Sequence, residues 1–174
     1  MDFDFKKALE ILNRTPQVLH SLLSDLSFEW YNENEGGDSW SPYDVMGHLI
    51  HCEKTDWIPR AKIILSNAAE KTFIPFDRYA QFNVSEKKSL EQLLDEFQSL
   101  RIENLKTLEA LNLTDIDLAK RGVHPELGEV NLKELLSTWV VHDLGHISQI
   151  TRVMAKQYGS EVGPWKRYLG ILNK

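Results

Sequence analysis

His142 and His146 stand four residues apart in a run that extends from Leu135 to Val153. On an α-helix this spacing stacks two side chains one turn apart on one face, so two imidazoles can turn toward a single metal ion. The face is the apolar one, because Leu135 and Trp139 lie seven residues before His142 and His146, and Ile150 lies four after His146. His48 is embedded among Val45, Leu49 and Cys52 in another helical run, so a third nitrogen could arrive from across a core. Such imidazoles have two readings. Either ordinary hydrogen bonds satisfy them in the core, or they share a divalent ion that removes the penalty of burying each polar nitrogen. Three protein ligands leave a coordination position open for water or a thiol, as in catalytic rather than structural sites. A divalent ion there lowers the pKa of bound water toward about 7 and deprotonates a coordinated thiol. Imidazole suits zinc and nickel, which are expected ahead of iron and manganese.

The neighbours of these histidines have plainer expectations. Asp143 projects about 100° away from His142, so a salt bridge or solvent contact is expected before ligation, with a hydrogen bond to the outer nitrogen of His48 as the alternative. His51, one turn from His48, either lines the mouth of a site or is merely half exposed. His124 lies in the turn-rich stretch Gly122-Val123-His124-Pro125-Glu126-Leu127-Gly128, where it shuttles protons or holds the turn through a backbone hydrogen bond. Cys52 is expected to be a small core residue rather than a fourth ligand or reactive thiol. Trp40, Trp57, Trp139 and Trp165 are expected in core and rim packing, where an aromatic-lined pocket would suit a hydrophobic substrate.

The elements that must position these residues are helical. Leu90, Leu93, Leu94, Phe97, Leu100, Leu105, Leu108 and Leu111 recur at three and four, and Ser89 with Gln92 can form a capping box, so a helix is expected over about 89–111. Ser41-Pro42-Tyr43-Asp44 starts another with a capping hydroxyl, a proline and a first-turn carboxylate, and Pro59 should kink or end it. Asn131 and Glu134 open a third, which stops near Gly159. The opening segment, Phe5 to Leu26, has the same period, with a break expected at Thr15-Pro16 and Thr15 capping the continuation. A linker covers about 69–88. Four amphipathic helices with few strands bury their stripes most simply as an all-α four-helix bundle, with the long linker crossing one end.

The chain has 174 residues, about one domain's worth, and a single domain over 1–174 is expected. With 20 basic against 26 acidic residues, its net charge of -6 disfavours nucleic-acid binding, which rests largely on neutralising phosphates. The longest stretch without Asp, Glu, Lys or Arg is the ten residues Thr15 to Ser24, short of the roughly 18 that a membrane span requires. The start, Met1 to Lys7, has no signal-peptide pattern, so a cytoplasmic location is expected. Cys52 is the single cysteine, which excludes an intrachain disulfide.

Trp40-Ser41-Pro42 leading into Gly47-His48-Leu49, His124-Pro125-Glu126-Leu127-Gly128, Trp139-Val140-Val141-His142-Asp143-Leu144-Gly145-His146 and Val162-Gly163-Pro164-Trp165 together resemble the DinB-like family over nearly the whole chain. The resemblance implies a four-helix bundle of up-down-down-up style with a long crossover, in which His48, His142 and His146 match the family's three metal-ligand positions. It also implies a metal-dependent hydrolase or thiol S-transferase, a small-molecule substrate, a low-molecular-weight thiol as a possible cofactor, and a homodimer. The rival expectation is a non-catalytic bundle that binds a metal or small molecule. Kinship of fold does not transfer a reaction.

Overall fold

The computed structural model describes residues 2–173; Met1 and Lys174, included in the expected domain, lie outside them. In chain order the elements are α1 (Phe5–Leu23), α2 (Phe28–Asn32), α3 (Pro42–Thr55), α4 (Trp57–Leu65), α5 (Ala80–Ser85), α6 (Leu90–Ala110), α7 (Asp115–Leu118), β1 (Arg121–His124), β2 (Gly128–Asn131) and α8 (Leu132–Gln157). Two short 3-10 segments follow, Gly163–Tyr168 and Gly170–Asn173. No described helix is long and apolar enough to cross a membrane.

The expected helix starts are present with their chemistry. Ser41 with Asp44, Ser89 with Gln92 and Asn131 with Glu134 each form both halves of a capping box, which satisfies backbone donors that the first turn leaves orphaned. Two expectations at prolines need correction. α1 runs unbroken through Pro16, and Thr15 does not restart it. Proline removes the N–H that would have bonded the Leu12 carbonyl; Arg101 Nη1 donates to that carbonyl instead, at 2.9 Å, while Thr15 Oγ1 donates back to the Ile11 carbonyl at 3.1 Å. In the second helix the break falls at Asp56 (φ -106°, ψ -75°), and Pro59 sits in the first turn of α4, where no amide hydrogen is needed. The linker 69–88 contains α5, and the turn-rich stretch closes a hairpin in which Arg121 pairs with Asn131 and His124 with Gly128. Gly128 takes φ +76°, a conformation that a side chain resists.

Contacts along the helices give their directions. Tyr43 meets the Lys88 carbonyl and Glu53 meets Arg101, so α3 and α6 run parallel. Trp57 stacks on Trp139 while His48 lies against His146, so the α3–α4 helix and α8 are antiparallel. Leu12 shares a core cluster with Leu105, and Leu19 another with Leu93 and Phe97, so α1 opposes α6. The bundle is therefore up-down-down-up, and the parallel α3 and α6 require a crossover between them.

A charged cluster ties the bundle together between its two apolar clusters. Arg101, 1% exposed, lies between the rings of Phe97 and Trp139, with its guanidinium carbon 4.9 and 5.0 Å from their centroids. Nε and Nη2 donate to Glu53 Oε1 at 3.1 and 2.8 Å. Nη1 and Nη2 donate to the two Asp143 oxygens at 2.6 and 3.0 Å, and Nη1 also reaches the Leu12 carbonyl. The five N–H groups of a guanidinium thus meet five acceptor contacts drawn from the other three long helices. Asn104 Nδ2 donates to Glu53 Oε2 at 2.9 Å and completes the set.

Replacing Arg101 with Met leaves two buried carboxylates without a countercharge. Urea unfolding at pH 7 should register a loss of about 3–5 kcal/mol. Arg101→Lys should recover little of this, since an ammonium cannot make the fork contacts. A loss below about 1 kcal/mol in Arg101→Met would mean the cluster does not hold the bundle.

Candidate metal centre

His48 lies in the second turn of α3, whose start is fixed by the Ser41–Asp44 box. Gly47 beside it lets α5 lie directly on α3, because a Cβ there would stand 3.0 Å from the Gln81 carbonyl oxygen. His142 and His146 come from the middle of α8, turned inward by the adjoining Asp143, whose side chain is fully buried against Arg101. The expected salt bridge of Asp143 is present; both its oxygens accept from Arg101, and no hydrogen bond links it to His48.

The three imidazoles meet at one point. His48 Nε2 is 3.0 Å from His142 Nε2, and His146 Nε2 is 3.1 Å from the same atom. One ligand-capable atom from each residue lies within 4.8 Å of the others. His146 Nδ1 is 2.9 Å from Gln149 Oε1, an acceptor, so Nδ1 carries the proton and Nε2 turns its lone pair toward the cluster. Burial first, then the neighbouring histidines, pushes the pKa of His48 and of His142 down to about 3, and burial lowers His146 too. All three rings are therefore neutral near pH 7. Aromatic rings fence them: Trp40 is 4.9 Å from the His48 ring, Phe76 is 5.6 Å from it, and Trp57 is edge-on to His142 at 5.1 Å.

Cys52 Sγ lies 3.5 Å from His48 Nε2 and 4.0 Å from His142 Nε2. Burial, with Asp56, Glu53 and Asp143 nearby, holds its thiol well above the ordinary range, so it packs as a neutral side chain. His124 Nδ1 accepts from the Glu126 and Leu127 amides at 3.1 and 3.3 Å, which is the turn-holding role, while its ring also lines the site. His51 is half-buried against Phe76 and does not line the cavity. Trp165 departs from expectation: at 71% exposed it packs in neither core nor rim and touches Tyr168 instead.

The cluster stands in the wall of a cavity of about 550 Å³. One side is α3, α4 and α8. The other is the crossover and the hairpin, joined where Phe73 N donates to the Val123 carbonyl and Val123 N to the Lys71 carbonyl, both at 2.9 Å. Sequence reasoning missed Glu53, Arg101, Asn104 and Gln149, and also Asp56 and Arg60 in the cavity wall. A signal existed for Arg101, which interrupts an apolar stripe midway between Phe97 and Leu105, and for Glu53, four residues after Leu49.

Depressed histidine pKa values set a direction for acid stability. The unfolded chain takes up protons near pH 6.5 that the folded rings refuse until about pH 3, so stability of the chelator-treated protein must fall as pH drops through that window. Each fully shifted histidine contributes about 1.4 kcal/mol per pH unit; Asp56, raised to about 6 by burial, and Glu53, also raised by burial, oppose with protons of the other sign. Urea midpoints at pH 5 and 6.5 should show the fall, and His142→Gln should remove about one histidine's share. An unchanged slope in that variant would contradict the burial of a neutral ring.

Comparison with known proteins agrees with this architecture. The family model of the DinB superfamily matches residues 11–150. YfiT from Bacillus subtilis, described as a probable metal-dependent hydrolase with an unusual four-helix bundle topology, superposes with a TM-score of 0.75 at 19% identity, covering 91% of both chains. TT2238, a four-helix bundle protein, gives a TM-score of 0.53 at 20% identity, covering 85% of this chain and 98% of its own. Curated protein sequences give no significant match. With the family pattern spanning all four long helices and the bundle topology shared with YfiT, the chain belongs to the DinB superfamily.

Proposed function

We propose that His48, His142 and His146 hold one divalent cation, and that the protein is a metal-dependent enzyme, a hydrolase or thiol S-transferase, acting on a small molecule in the adjoining cavity. The observation that carries this is the convergence of three neutral imidazole nitrogens on one point. A ring nitrogen offers one proton or one lone pair, so His142 Nε2 cannot make straight hydrogen bonds to both neighbours at once. A cation between the lone pairs resolves that conflict. The 3.0 and 3.1 Å separations are near the roughly 3.3 Å that adjacent nitrogens take around tetrahedral zinc. The description of YfiT supports the same reading.

Zinc or nickel fits an all-imidazole donor set. Such an ion supplies Lewis acidity and a water or thiol that is deprotonated near neutral pH. The chain's own residues do the rest. Gln149 fixes the tautomer of His146, Asp143 fixes the rotation of α8 through Arg101, and Trp40, Trp57 and Phe76 keep bulk water from the rings. Cys52 stays protonated and leaves the open position to substrate or a free thiol.

Elemental analysis of protein purified without chelator should find about one equivalent of metal per chain. His48→Ala, His142→Ala and His146→Ala should each weaken binding roughly 100-fold or more, and Gln149→Ala about tenfold. Cys52→Ser should leave the stoichiometry unchanged. Less than about a third of an equivalent, not raised by added zinc or nickel, would overturn the proposal.

A further inference from the structure

His48, Cys52, Asp56 and Arg60 follow one another at intervals of four residues, and all four line the cavity. On a helix this spacing keeps side chains on one side, and across the break at Asp56 all four still line one cavity, which therefore runs from the histidine cluster toward Arg60. The far end is chemically different from the near one. Arg60 is 8% exposed, and its guanidinium lies over the Phe73 ring at 5.2 Å. Its one charged partner among the described residues is Asp56, with Nη1 2.7 Å from Oδ1.

That pairing is incomplete. Asp56 Oδ1 is buried and has no aligned hydrogen bond, so the contact is an ion pair without the fork geometry that makes Arg–carboxylate pairs strong. The Asp56 side chain does not cap α4 either, although Asp56 occupies the N-cap position. Burial outweighs the attraction of Arg60 and raises Asp56 to about 6, which is the mark of a weakly satisfied carboxylate. No described residue accepts a hydrogen bond from Arg60 Nε or Nη2. A guanidinium keeps its charge at any working pH, and the Arg60 nitrogens are not among the buried atoms without a partner, so the donors that Asp56 leaves over are open to a guest in the cavity that Arg60 lines.

We infer that Arg60 anchors an anionic group, a carboxylate or its equivalent, on a substrate whose apolar body lies along Trp57, Phe73 and Leu135 toward the histidine cluster. This deepens the preceding proposal and rests on its reading of the cavity as the substrate site. A guest carboxylate offers the fork that Asp56 does not, on a cation already desolvated and stacked. The cavity volume of about 550 Å³ accommodates a phenylalkyl body. The remaining charges at the rim, Arg78, Glu126 and Glu134, are solvent-exposed and bind any guest weakly.

The test is independent of metal. Full-length protein in EDTA is titrated with 4-phenylbutyrate and with its neutral amide, 4-phenylbutyramide, and tryptophan fluorescence reports binding. The carboxylate should bind about tenfold more tightly than the amide, and Arg60→Gln should abolish that preference while leaving amide affinity within about twofold. Asp56→Asn, which frees Arg60 from its competitor, should strengthen carboxylate binding. Equal affinities for the two probes, no binding of either, or a preference that survives Arg60→Gln would overturn the inference. If Arg60→Gln does not fold, Asp56→Asn decides, and unchanged or weaker carboxylate binding overturns it. Failure here with metal bound at one equivalent leaves the metal centre standing, whereas metal loss with intact carboxylate preference does the reverse.

Discussion

A single guanidinium sets the geometry on which the rest of this bundle depends. Arg101 reaches all three other long helices, through the Leu12 carbonyl, Glu53 and Asp143, and it does so from a position 1% exposed to solvent. Apolar packing alone fixes helix rotation loosely, because neighbouring ridges offer several near-equivalent fits. A buried ion pair is different: a rotation that displaces Asp143 leaves a charge uncompensated in the core, which costs several kcal/mol. Asp143 is the residue after His142, so the orientation that satisfies Arg101 is the same one that brings His142 and His146 to face His48. The same arginine lets α1 continue through Pro16 by supplying the donor that proline lacks.

Topology and cavity are linked as tightly. Two parallel neighbouring helices, α3 and α6, cannot be joined by a short turn, and the crossover between them must travel the length of the bundle. That segment does not lie idle on the surface. It is bonded to the β-hairpin through Phe73 and Val123, and together they form the wall that faces α3, α4 and α8. Gly122 is part of this fit, because a Cβ there would come within 2.7 Å of the Phe73 ring.

Much of this was legible in the sequence, and the exceptions have physical reasons. Capping residues are local, so Ser41, Ser89 and Asn131 marked three helix starts correctly. The inward face of α8 followed from the positions of Leu135, Trp139 and Ile150 around the two histidines. Prolines misled because their effect depends on what lies across the core: the break expected at Thr15-Pro16 was prevented by Arg101, a residue 85 positions away. Glu53 and Arg101 were overlooked because a charge on an apolar stripe is read as surface unless its partner is known, and the partner comes from another helix. Arg60 was hidden for a related reason. The strip it shares with His48 spans a helix break at Asp56 that only the tertiary structure locates.

Two of the buried polar clusters among the described residues, around Arg101 and around His142, make an informative contrast. Around Arg101 every N–H has an acceptor and the two carboxylates share its one positive charge, so the hydrogen bonds of the guanidinium are complete as they stand. Around His142 Nε2, protons cannot be placed to satisfy both neighbours, and His142 Nδ1 is itself buried without a protein partner. Folded proteins rarely bury such conflicts, and those that persist concentrate where a bound group completes the set. The saturated cluster reads as scaffold and the unsaturated one as a site. Their adjacency in sequence, Asp143 beside His142, means that the stability of the first enforces the convergent geometry of the second, so the packing of the bundle and the meeting of the imidazoles depend on the same turn of α8.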